Sequence, residues 1–466
     1  MNGQAMLEKI TGNDTAFSVF RGPLLRDLLA DSSHSLDSYI KRGGYALARR
    51  IIQESAASDV IDQIATAGLR GRAGGGFPTA QKWFQVSRSV AKEKYFICNA
   101  HSGQPGGFKE RFLIQANPHR LIEATLIAAF AVGAETAFIF LPEHFSSEAH
   151  LLDTARREAL NGGLIGRNVM GSHFSCNLVI YRGLGGYISG EETAIMRLIE
   201  GKVGLPRRKP PMPAYQGLFN APTAINNSET VLQAYHLLKC GVEEYRKVGT
   251  PGSSGSMVFC VSGDVRRPGI YELPLGTKLS ELIFDYAHGP KDGSSIKLVF
   301  PGGVSSLPVG PDQFDLALDY DTLHDAGSSL GSGAVIVIGK ETGIRHLTRE
   351  LAAFFHRESC GKCKPCKEGT MRILDIATQL DEQKNYGGGM NGTSANPFKI
   401  LDQSGAVNLP DMRQLENVCD LFRHLGDCRH ITEAASSIER LVKLFPEELR
   451  FQSALSNGLE QSNGHN

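Results

Sequence analysis

The stretch Glu358-Ser-Cys360-Gly-Lys-Cys363-Lys-Pro-Cys366-Lys-Glu-Gly-Thr370 decides how we interpret the rest of the chain. Three thiols with two residues between neighbours can close over one face of a small iron cube, which is how cysteines hold an iron–sulfur cluster. The fourth ligand has to come from elsewhere, because Thr370 stands where a bacterial ferredoxin run places its fourth cysteine. The run therefore predicts a cluster site that a distant cysteine completes.

Two later cysteines, Cys419 and Cys428, are candidates for the fourth ligand. Cys428 lies in Leu425-Gly-Asp-Cys-Arg-His, a polar stretch with a glycine that is typical of a turn able to wrap a cluster. Cys419 lies in a helical apolar pattern, so we predict Cys428 as the ligand. A zinc site is the alternative, but it usually pairs two C-x2-C knuckles, and one continuous run of three cysteines favours the cluster.

Length and composition limit the remaining possibilities. A chain of 466 residues is long enough for roughly two to four domains with cores of their own. Lys plus Arg and Asp plus Glu both number 49, so nothing indicates binding to nucleic acid or to an anionic membrane surface. We find no apolar run of about 18 residues and no secretory signal pattern, so direct insertion into a membrane is not expected. Nine cysteines, scattered outside the run, suit a reducing compartment, and we expect a cytoplasmic protein.

A glycine-rich stretch, Gly68-Leu-Arg-Gly-Arg-Ala-Gly-Gly-Gly-Phe-Pro-Thr79, follows the first helical patterns of the chain. Five glycines among the nine residues from Gly68 to Gly76 exclude a regular helix or strand, which leaves a flexible linker or a loop built for close approach. The two arginines and the Phe-Pro pair at its end favour the loop. Its backbone N–H groups, followed by Lys82, predict a cradle for the phosphate of a nucleotide or dinucleotide.

Strand patterns and glycine-rich turns alternate with helical patterns over the next hundred or so residues. Strands are predicted at residues 95–99, 137–141 and 177–181, and helices at 121–132 and 194–200. This order is typical of an α/β nucleotide-binding domain with a largely parallel sheet. The glycine spacing differs from G-x-G-x-x-G, so the usual dinucleotide fingerprint does not apply.

Adjacent asparagines, Asn226 and Asn227, follow a stretch at 201–215 that is rich in proline and basic residues and that we place at the rim of the pocket. Amides both donate and accept hydrogen bonds, which suits a ligand with hydroxyls and carbonyls, such as the ribityl and isoalloxazine groups of a flavin. A turn that caps the following helix explains the pair equally well.

The second half of the chain is predicted as a small α+β unit followed by a helical bundle that carries the cysteines. Residues 250–255 are interpreted as a linker, 385–397 as a low-complexity loop, and the N-terminal arm as a segment that packs on the body or on a neighbour. The predicted organisation is an arm over residues 1–37, an α/β domain over 38–249, an α+β domain over 250–342, a helical domain over 343–452 with an inserted loop at 382–402, and a tail over 453–466.

Taken together, these residues resemble the NADH-binding flavoprotein subunit of respiratory complex I, which is the F subunit of NADH-quinone oxidoreductase, and its relatives in NAD-linked hydrogenases and formate dehydrogenases. The similarity extends from about Tyr39 to Phe445. Its specific marks are the cluster run, Gly68 to Lys82, Cys98-Asn-Ala100, Pro105-Gly106 with Phe108-Lys-Glu-Arg111, Gly190-Glu-Glu-Thr193, Pro206-Arg207 with Lys209-Pro-Pro211, and Asn226-Asn227 with Glu229-Thr230.

The resemblance implies a fold and a function. The fold is a Rossmann-like α/β domain that binds FMN, an α+β ubiquitin-like domain of the SLBB type, and a C-terminal all-α bundle with a [4Fe-4S] cluster. Electrons from NADH or NADPH are implied to pass via FMN to the cluster and on to partner subunits. The implied partners are a thioredoxin-like [2Fe-2S] subunit and a multi-cluster iron–sulfur subunit, in a complex peripheral to the inner face of the membrane.

The resemblance also implies roles for individual residues. Tyr187 and Glu192 are placed at the reacting centre, with Lys209 beside Glu192 on the nicotinamide side and Phe77 against the adenine. The implied cofactor-binding set is Gly71, Arg72, Gly74, Gly76, Phe77, Lys82, Asn99, Tyr187, Gly190, Glu191, Glu192, Lys209, Asn226, Asn227 and Thr230. The implied cluster ligands are Cys360, Cys363, Cys366 and Cys428.

Several positions depart from the family pattern, among them Ala73, Gln85, Ser189 and Met212, and one stretch bears directly on the nucleotide. Where the family has an acidic Asp-Glu-Gly-Glu sequence, this chain has His101-Ser-Gly-Gln104, so three carboxylates are replaced. Carboxylates near a dinucleotide bind ribose hydroxyls and discriminate against a 2′-phosphate. Their loss predicts weaker recognition of NADH or acceptance of NADPH. It also raises the alternative that the chain is an FMN and [4Fe-4S] relay that exchanges electrons with another redox protein. A scaffold without FMN is disfavoured by the retained Lys82, Asn99, Asn226 and Asn227.

Overall fold

The structure, a computed structural model, describes residues 17–30, 34–382 and 412–449. The chain divides into two units, Met1–Gly339 and Lys340–Asn466. Within the described residues, no helix is both long and apolar enough to span a membrane. The insertion predicted at 382–402 and the tail predicted at 453–466 lie outside the described residues, apart from residue 382.

The N-terminal arm contributes a short strand, β1 (Ser18–Phe20), and a helix, α1 (Pro23–Leu28). The buried Glu272 carboxylate accepts hydrogen bonds from the N–H groups of Leu24 (3.0 Å) and Leu25 (2.7 Å). A carboxylate at the first turn satisfies N–H groups that have no partner inside the helix. The described part of the arm therefore packs on the body of its own chain.

The α/β part follows the arm. Its strands are β2 (Tyr95–Asn99), β3 (Thr136–Pro142), β4 (Asn177–Gly183) and β5 (Thr223–Asn227). Its helices are α2 (Leu36–Lys41), α3 (Ala46–Glu54), α4 (Ala57–Thr66), α5 (Thr79–Ser87), α6 (Lys109–Ala116), α7 (Pro118–Val132), α8 (Ser146–Asn161), α9 (Glu192–Ile199), α10 (Ser228–Cys240) and α11 (Val242–Arg246). The four strands run parallel in the order β4-β3-β2-β5, which confirms the predicted parallel sheet.

Helix α7 is buried at the centre of this part. It begins at Pro118, three residues before the predicted start, because the Asn117 side chain accepts a hydrogen bond from the Arg120 N–H (2.9 Å) and proline suits the first turn. Nearly all of its side chains are buried, and it packs against α3, α8 and α10. Because this helix is buried on nearly all sides, it belongs to the core, where it packs against β2 and β3.

The sheet reverses its order at β2, and this reversal positions the site. From β2 the chain passes through α7 to β3 on one side, and it returns later to β5 on the other side of β2. In open parallel sheets, ligand crevices form at such a reversal, outside the carboxyl ends of the strands. Asn99 and Asn227 end β2 and β5 and are paired in register at that edge.

Residues 250–255 are not the linker that their Gly and Ser content predicts. They belong to a tight antiparallel pair, β6 (Gly249–Thr250) and β7 (Ser253–Ser254), and both residues of β7 are buried. The Ser254 carbonyl accepts a hydrogen bond from the Arg72 guanidinium (2.8 Å). This contact with a residue distant in sequence helps to fix the turn, and no local pattern reveals it.

A second sheet forms the α+β part of the same unit. Its strands are β8 (Ser256–Gly263), β9 (Gly269–Pro274), β10 (Ile296–Phe300) and β11 (Ala334–Gly339), and the helical segments Glu281–Tyr286 and α12 (Tyr320–Asp325) share its hydrophobic core. The strand order is β1-β9-β8-β11-β10, so β1 of the arm is an edge strand parallel to β9. The predicted α+β unit is confirmed.

The second unit is helical, as predicted. Its helices are α13 (Ile344–Arg357), α14 (Lys364–Glu382), α15 (Met412–Phe422), α16 (His430–Leu444) and α17 (Pro446–Leu449). The cysteine run joins α13 to α14, with Cys366 in the first turn of α14. Residues 423–429, which include Cys428, separate α15 from α16 and contain the turn predicted around Cys428.

Candidate functional site

The glycine-rich loop before α5 presents bare backbone to open space. A Cβ atom built on Gly74 or Gly75 would meet no atom within 4 Å. Gly74 (φ 159°) and Gly76 (φ 56°) have backbone conformations that favour glycine. A ligand can therefore approach the backbone at Gly74 and Gly75 closely, as the predicted phosphate cradle requires.

Lys82 reaches from α5 to Ile225 in β5. Its Nζ donates a hydrogen bond to the Ile225 carbonyl (2.7 Å) and lies 3.6 Å from a Glu192 carboxylate oxygen. Burial lowers the pKa of Lys82, and the Glu192 charge opposes that effect. The cation thus stands at the carboxyl edge of the sheet, beside the glycine loop.

Glu191, Glu192 and Lys209 meet at the start of α9. Glu191 caps the helix by accepting hydrogen bonds from the N–H groups of Thr193 (2.8 Å) and Ala194 (3.1 Å). Lys209 Nζ lies 2.6 Å from Glu192 and 3.2 Å from Glu191. These three side chains and Lys82 balance two positive against two negative charges.

The pKa values of Glu192 and Lys209 reflect this balance of charges. Burial on its own raises the pKa of Glu192, but Lys82 and Lys209 outweigh it and the pKa is lowered. Burial likewise lowers the pKa of Lys209, and Glu192 and Glu191 outweigh it so that the pKa is raised. The charged forms of these groups therefore hold one another in place.

Two of the three asparagines, Asn99 and Asn227, use both ends of their side-chain amides for hydrogen bonds within the protein. Asn99 donates to the Gly190 carbonyl (3.1 Å) and accepts from the His101 N–H (3.0 Å). Asn227 donates to Glu110 (2.9 Å) and accepts from the N–H of Glu229 (2.9 Å), so it caps α10. Both ends of these two amides bind protein. The capping role that the sequence left open is realised at Asn227.

Asn226 differs from its neighbour. Its side-chain oxygen accepts a hydrogen bond from the Trp83 indole (2.8 Å). Its amide nitrogen donates to no partner within the described residues, so the N–H groups at that end can donate to a ligand.

The role predicted for the Arg72 side chain is corrected. Its guanidinium is buried and donates all five of its hydrogen bonds to protein, namely to the carbonyls of Arg70, Ser254 and Ser256 and to the hydroxyls of Tyr245 and Tyr320. Its backbone N–H donates to Thr230 (2.8 Å). No guanidinium donor remains for a flavin, so Arg72, with Thr230, supports the loop from behind.

Three buried polar atoms at this edge have no hydrogen-bond partner in the described part of the chain: Thr79 Oγ1, His101 Nε2 and Ser228 Oγ. Thr79 follows the glycine loop, His101 follows β2 and Ser228 follows β5. Buried polar groups without partners are unfavourable, so a ligand with several hydrogen-bonding groups would stabilise this edge. Bare backbone, an ammonium, a free amide nitrogen and these atoms together fit FMN.

Phe77 and Tyr187 flank the same edge. Phe77 is 43% exposed, and Lys82 Nζ lies 6.0 Å from its ring centre. Tyr187 is partly buried in the turn Tyr187–Gly190, directly before Glu191. A Cβ atom on Gly190 would lie 2.6 Å from the His101 ring, so glycine is needed there for packing.

The stretch His101-Ser-Gly-Gln104 carries no charge and binds its own protein. His101 is buried and stacks on Phe140, and burial together with the nearby His144 lowers its pKa to about 4. Ser102 donates to the Gly107 carbonyl (2.7 Å), and Gln104 donates to the Gly302 carbonyl (3.2 Å). Residues 101–104, which replace the family's carboxylates, are therefore an uncharged segment.

The cluster cysteines lie in the second unit. Burial, with a smaller contribution from the nearby thiols of Cys363, Cys428 and Cys360, raises the pKa of Cys366 to about 12. The Lys362 ammonium lies 3.3 Å from the Asp427 carboxylate, which joins the run to the Cys428 turn.

Cys419 has different surroundings. It is fully buried in α15, and the charged groups nearest to it include Glu439 and Arg423. The geometry therefore groups Cys428, and not Cys419, with the run.

The donor set suits a cluster better than zinc. Within the described residues, no three Cys, His, Asp or Glu side chains are arranged to hold a single metal ion. Four sulfurs at about 2.3 Å from one zinc would lie within about 4 Å of one another. An iron cube binds each of four thiolates to a different iron, which suits three cysteines of one continuous run together with one distant cysteine.

Sequence reasoning missed several supporting residues. Lys109 is buried 2.6 Å from Glu229, Glu110 orients Asn227, and the Tyr320 hydroxyl binds the glycine loop. Lys109 and Glu110 belong to the Phe108-Lys-Glu-Arg111 motif of the family resemblance, but the motif assigned no role to them. Nothing in the sequence around Tyr320 signals its contact.

Three family profiles match the chain. They are the Nuo51 FMN-binding domain over residues 64–236, the SLBB domain over 258–305, and the NADH-ubiquinone oxidoreductase-F iron-sulfur binding region over 346–452. These matches and the geometry define a class of oxidoreductase subunits that combine a flavin-binding α/β domain with a helical iron–sulfur region.

Relatives narrow the class to a family. The F 2 subunit of NADH-quinone oxidoreductase in Rhizobium meliloti is 38% identical over 398 residues, which cover 84% of this chain and 94% of the relative. The F subunit of the Rickettsia typhi NADH-quinone oxidoreductase is 40% identical over 425 residues, covering 91% and 95%. The chain belongs to the family of NADH-quinone oxidoreductase F subunits.

A solved structure agrees with this assignment. A chain of an NAD+-reducing [NiFe]-hydrogenase in the H2-reduced state matches with a TM-score of 0.76 and 28% identity, over 96% of this chain and 71% of that one.

Proposed function

We propose that this chain takes electrons from a reduced nicotinamide dinucleotide, NADH or NADPH, at FMN and passes them through a [4Fe-4S] cluster to partner subunits. The observation that carries the proposal lies at β5, where Lys82 binds the Ile225 carbonyl, next to Asn226, and lies 6.0 Å from the ring centre of Phe77 in the glycine loop, whose backbone is open at Gly74 and Gly75. FMN, when bound, supplies hydride exchange with a nicotinamide and single-electron exchange with a cluster.

The residues of the chain hold and orient the reactants. The loop N–H groups and Lys82 bind the flavin phosphate, and the Asn226 amide nitrogen donates to the flavin. Glu192 and Lys209 lie on the nicotinamide side, with Tyr187 beside them, and the exposed Phe77 ring offers a stacking face for the adenine. Cys360, Cys363, Cys366 and Cys428 ligate the cluster.

The chain works within a multisubunit redox complex, as the names of its relatives indicate. We propose that its direct partners are a thioredoxin-like [2Fe-2S] subunit and a multi-cluster iron–sulfur subunit. We also propose that the complex lies in the cytoplasm, peripheral to the inner face of the membrane.

A second candidate function is supported by the uncharged segment at residues 101–104. None of these four residues is acidic, so no carboxylate there can bind the ribose hydroxyls of a dinucleotide, and the side chains of Ser102 and Gln104 bind their own protein. The alternative is a relay with FMN and the cluster that exchanges electrons with another redox protein.

An anaerobic titration tests both functions. The purified, cluster-reconstituted protein is first assayed for bound flavin and then titrated with NADH and with NADPH while the absorbance of oxidised flavin is followed. We expect bleaching by a reduced nicotinamide dinucleotide. Flavin that dithionite alone reduces would establish the relay, and a protein that binds no flavin would overturn both functions.

A matched pair of lysine variants tests the cradle itself. Lys82→Met removes the cation beside the glycine loop and is expected to weaken FMN binding by about tenfold. Lys247→Met removes an exposed lysine whose partner is Glu244, and FMN binding should not change. Equal affinity in both variants would mean that Lys82 does not hold the phosphate.

A further inference from the structure

The back of the glycine loop is bound to the α+β part of the first unit. The Tyr320 hydroxyl, at the start of α12, donates to the Gly71 carbonyl (2.7 Å) and accepts from the Arg72 guanidinium (3.2 Å). Tyr320 is 6% exposed, and its own N–H donates to Ser253 in β7 (3.3 Å). One hydroxyl of the α+β part therefore fixes two successive residues of the loop.

The Tyr320 ring adds two further contacts. The Arg70 guanidinium lies 4.3 Å from the ring centre, a distance at which cation and ring attract each other. A Cβ atom on Gly76 would collide with the same ring. Arg70 and Gly76, near the two ends of the loop, therefore both pack against the Tyr320 ring.

The two arginines extend these contacts. Arg72 donates to the carbonyls of Ser254 (2.8 Å) and Ser256 (3.1 Å), and Arg70 is paired with the Asp321 carboxylate (2.9 Å). Each of these partners lies in the α+β part or in the β7 turn that leads into it. The loop face that carries Gly74 and Gly75 remains open.

We propose that the α+β part of this chain serves as the rigid base of the flavin loop, and that Tyr320 is the positioning residue that fixes the loop before the flavin arrives. The proposal rests on the proposed function for the identity of the ligand, but the fixing of the loop does not depend on it. Fixing a loop in its bound conformation raises affinity because less conformational freedom is lost on binding.

Two tyrosine variants of the full chain test the proposal. Tyr320→Phe removes only the hydroxyl that binds Gly71 and Arg72. Tyr271→Phe is the matched control, because Tyr271 is similarly buried in the α+β part but its hydroxyl binds the Arg267 carbonyl (2.6 Å), away from the loop. Amide hydrogen exchange over residues 69–77 is measured without flavin, and the FMN dissociation constant is measured by fluorescence quenching.

We expect Tyr320→Phe to speed exchange in the loop and to weaken FMN binding, each by about three- to tenfold, as the loss of one or two hydrogen bonds implies. Tyr271→Phe should change neither. Unchanged exchange in Tyr320→Phe, or the same change in both variants, would overturn the proposal. If the wild-type protein binds no FMN, the proposed function fails while the exchange comparison still decides whether Tyr320 fixes the loop.

A milder variant covers the case in which Tyr320→Phe does not fold. The Asp321 side chain is 64% exposed, so Asp321→Asn weakens the hold on Arg70 without opening the core. Exchange in the loop should then rise by about twofold. Exchange at the wild-type rate in this variant would count against the proposal.

Discussion

At the scale of single residues, the surroundings of two cysteines lead to opposite expectations. The thiol of Cys428 lies near those of the run, whereas Cys419 lies in α15 among the charged neighbours Glu439 and Arg423. We expect Cys428→Ala to lose the visible absorbance and the low-temperature resonance of the cluster. Cys419→Ala, the control, should keep both. The reverse pattern would show that Cys419 is the fourth ligand.

His101 makes the stability of the flavin-binding part depend on pH, and the direction of that dependence follows from its pKa. Its pKa is lowered from 6.5 to about 4, mainly by burial. Between these values the unfolded chain binds a proton that the folded chain does not. The folded state is therefore destabilised as the pH falls through this range, by up to about 3 kcal/mol, and the contribution is constant above the upper value.

Urea unfolding at about pH 7 and about pH 5 measures this effect. Trp83 is the single tryptophan and is buried beside Asn226. Its fluorescence therefore reports on the α/β part, which also contains His101. His101→Gln should lose less stability between the two pH values than the wild type. His324→Gln, whose side chain is 87% exposed, should behave as the wild type does. Equal losses in His101→Gln and the wild type would rule out His101 as the source.

At the scale of elements, one buried ion pair joins two helices and a strand. Lys109 of α6 lies 2.6 Å from Glu229 of α10, and Glu229 also accepts from the Val258 N–H of β8 (2.8 Å). Lys109→Met leaves a buried carboxylate without its cation, so we expect the free energy of unfolding to fall by about 3–5 kcal/mol. Urea unfolding followed by Trp83 fluorescence measures the loss.

The double variant Lys109→Met with Glu229→Gln is the control for this prediction. It removes both charges, and its loss of stability should be smaller than that of Lys109→Met alone. If the two losses are equal, the unpaired charge is not what destabilises the single variant.

The elements were predictable where the pattern was local. Apolar segments bounded by glycine turns gave β2 with its observed ends, Tyr95 and Asn99, and placed predicted strands inside β3 and β4. The start of α7 was missed by three residues because the Asn117 cap was not recognised. Residues 250–255 were misread as a linker because Gly and Ser indicate a turn but not what binds it.

The candidate site was predictable in composition but not in the role of each side chain. Arg72 binds Thr230, Ser254 and Ser256, which are 158 to 184 positions away in the sequence. Asn227 binds Glu110, which is 117 positions away. Partners at such separations come together only in the folded chain, so a sequence pattern cannot tell a side chain that supports the loop from one that faces the ligand.

At the scale of the whole molecule, electrons have to pass from a nicotinamide through the flavin-binding part of the first unit to the cysteines of the second. The first unit contains the edge with Gly74, Gly75 and Lys82, and the second contains the thiols around Cys366. One chain is therefore expected to carry both steps.

Low-temperature electron paramagnetic resonance after reduction by a nucleotide measures whether electrons reach the cluster. The reconstituted wild-type protein and Cys428→Ala are frozen after anaerobic addition of NADH, and in parallel of NADPH. We expect the resonance of a reduced cluster in the wild type with at least one of the two nucleotides, and bleached flavin without that resonance in Cys428→Ala. A wild-type protein whose flavin and cluster both stay oxidised with either nucleotide, yet are reduced by dithionite, would show that the chain does not carry electrons from a nicotinamide to the cluster.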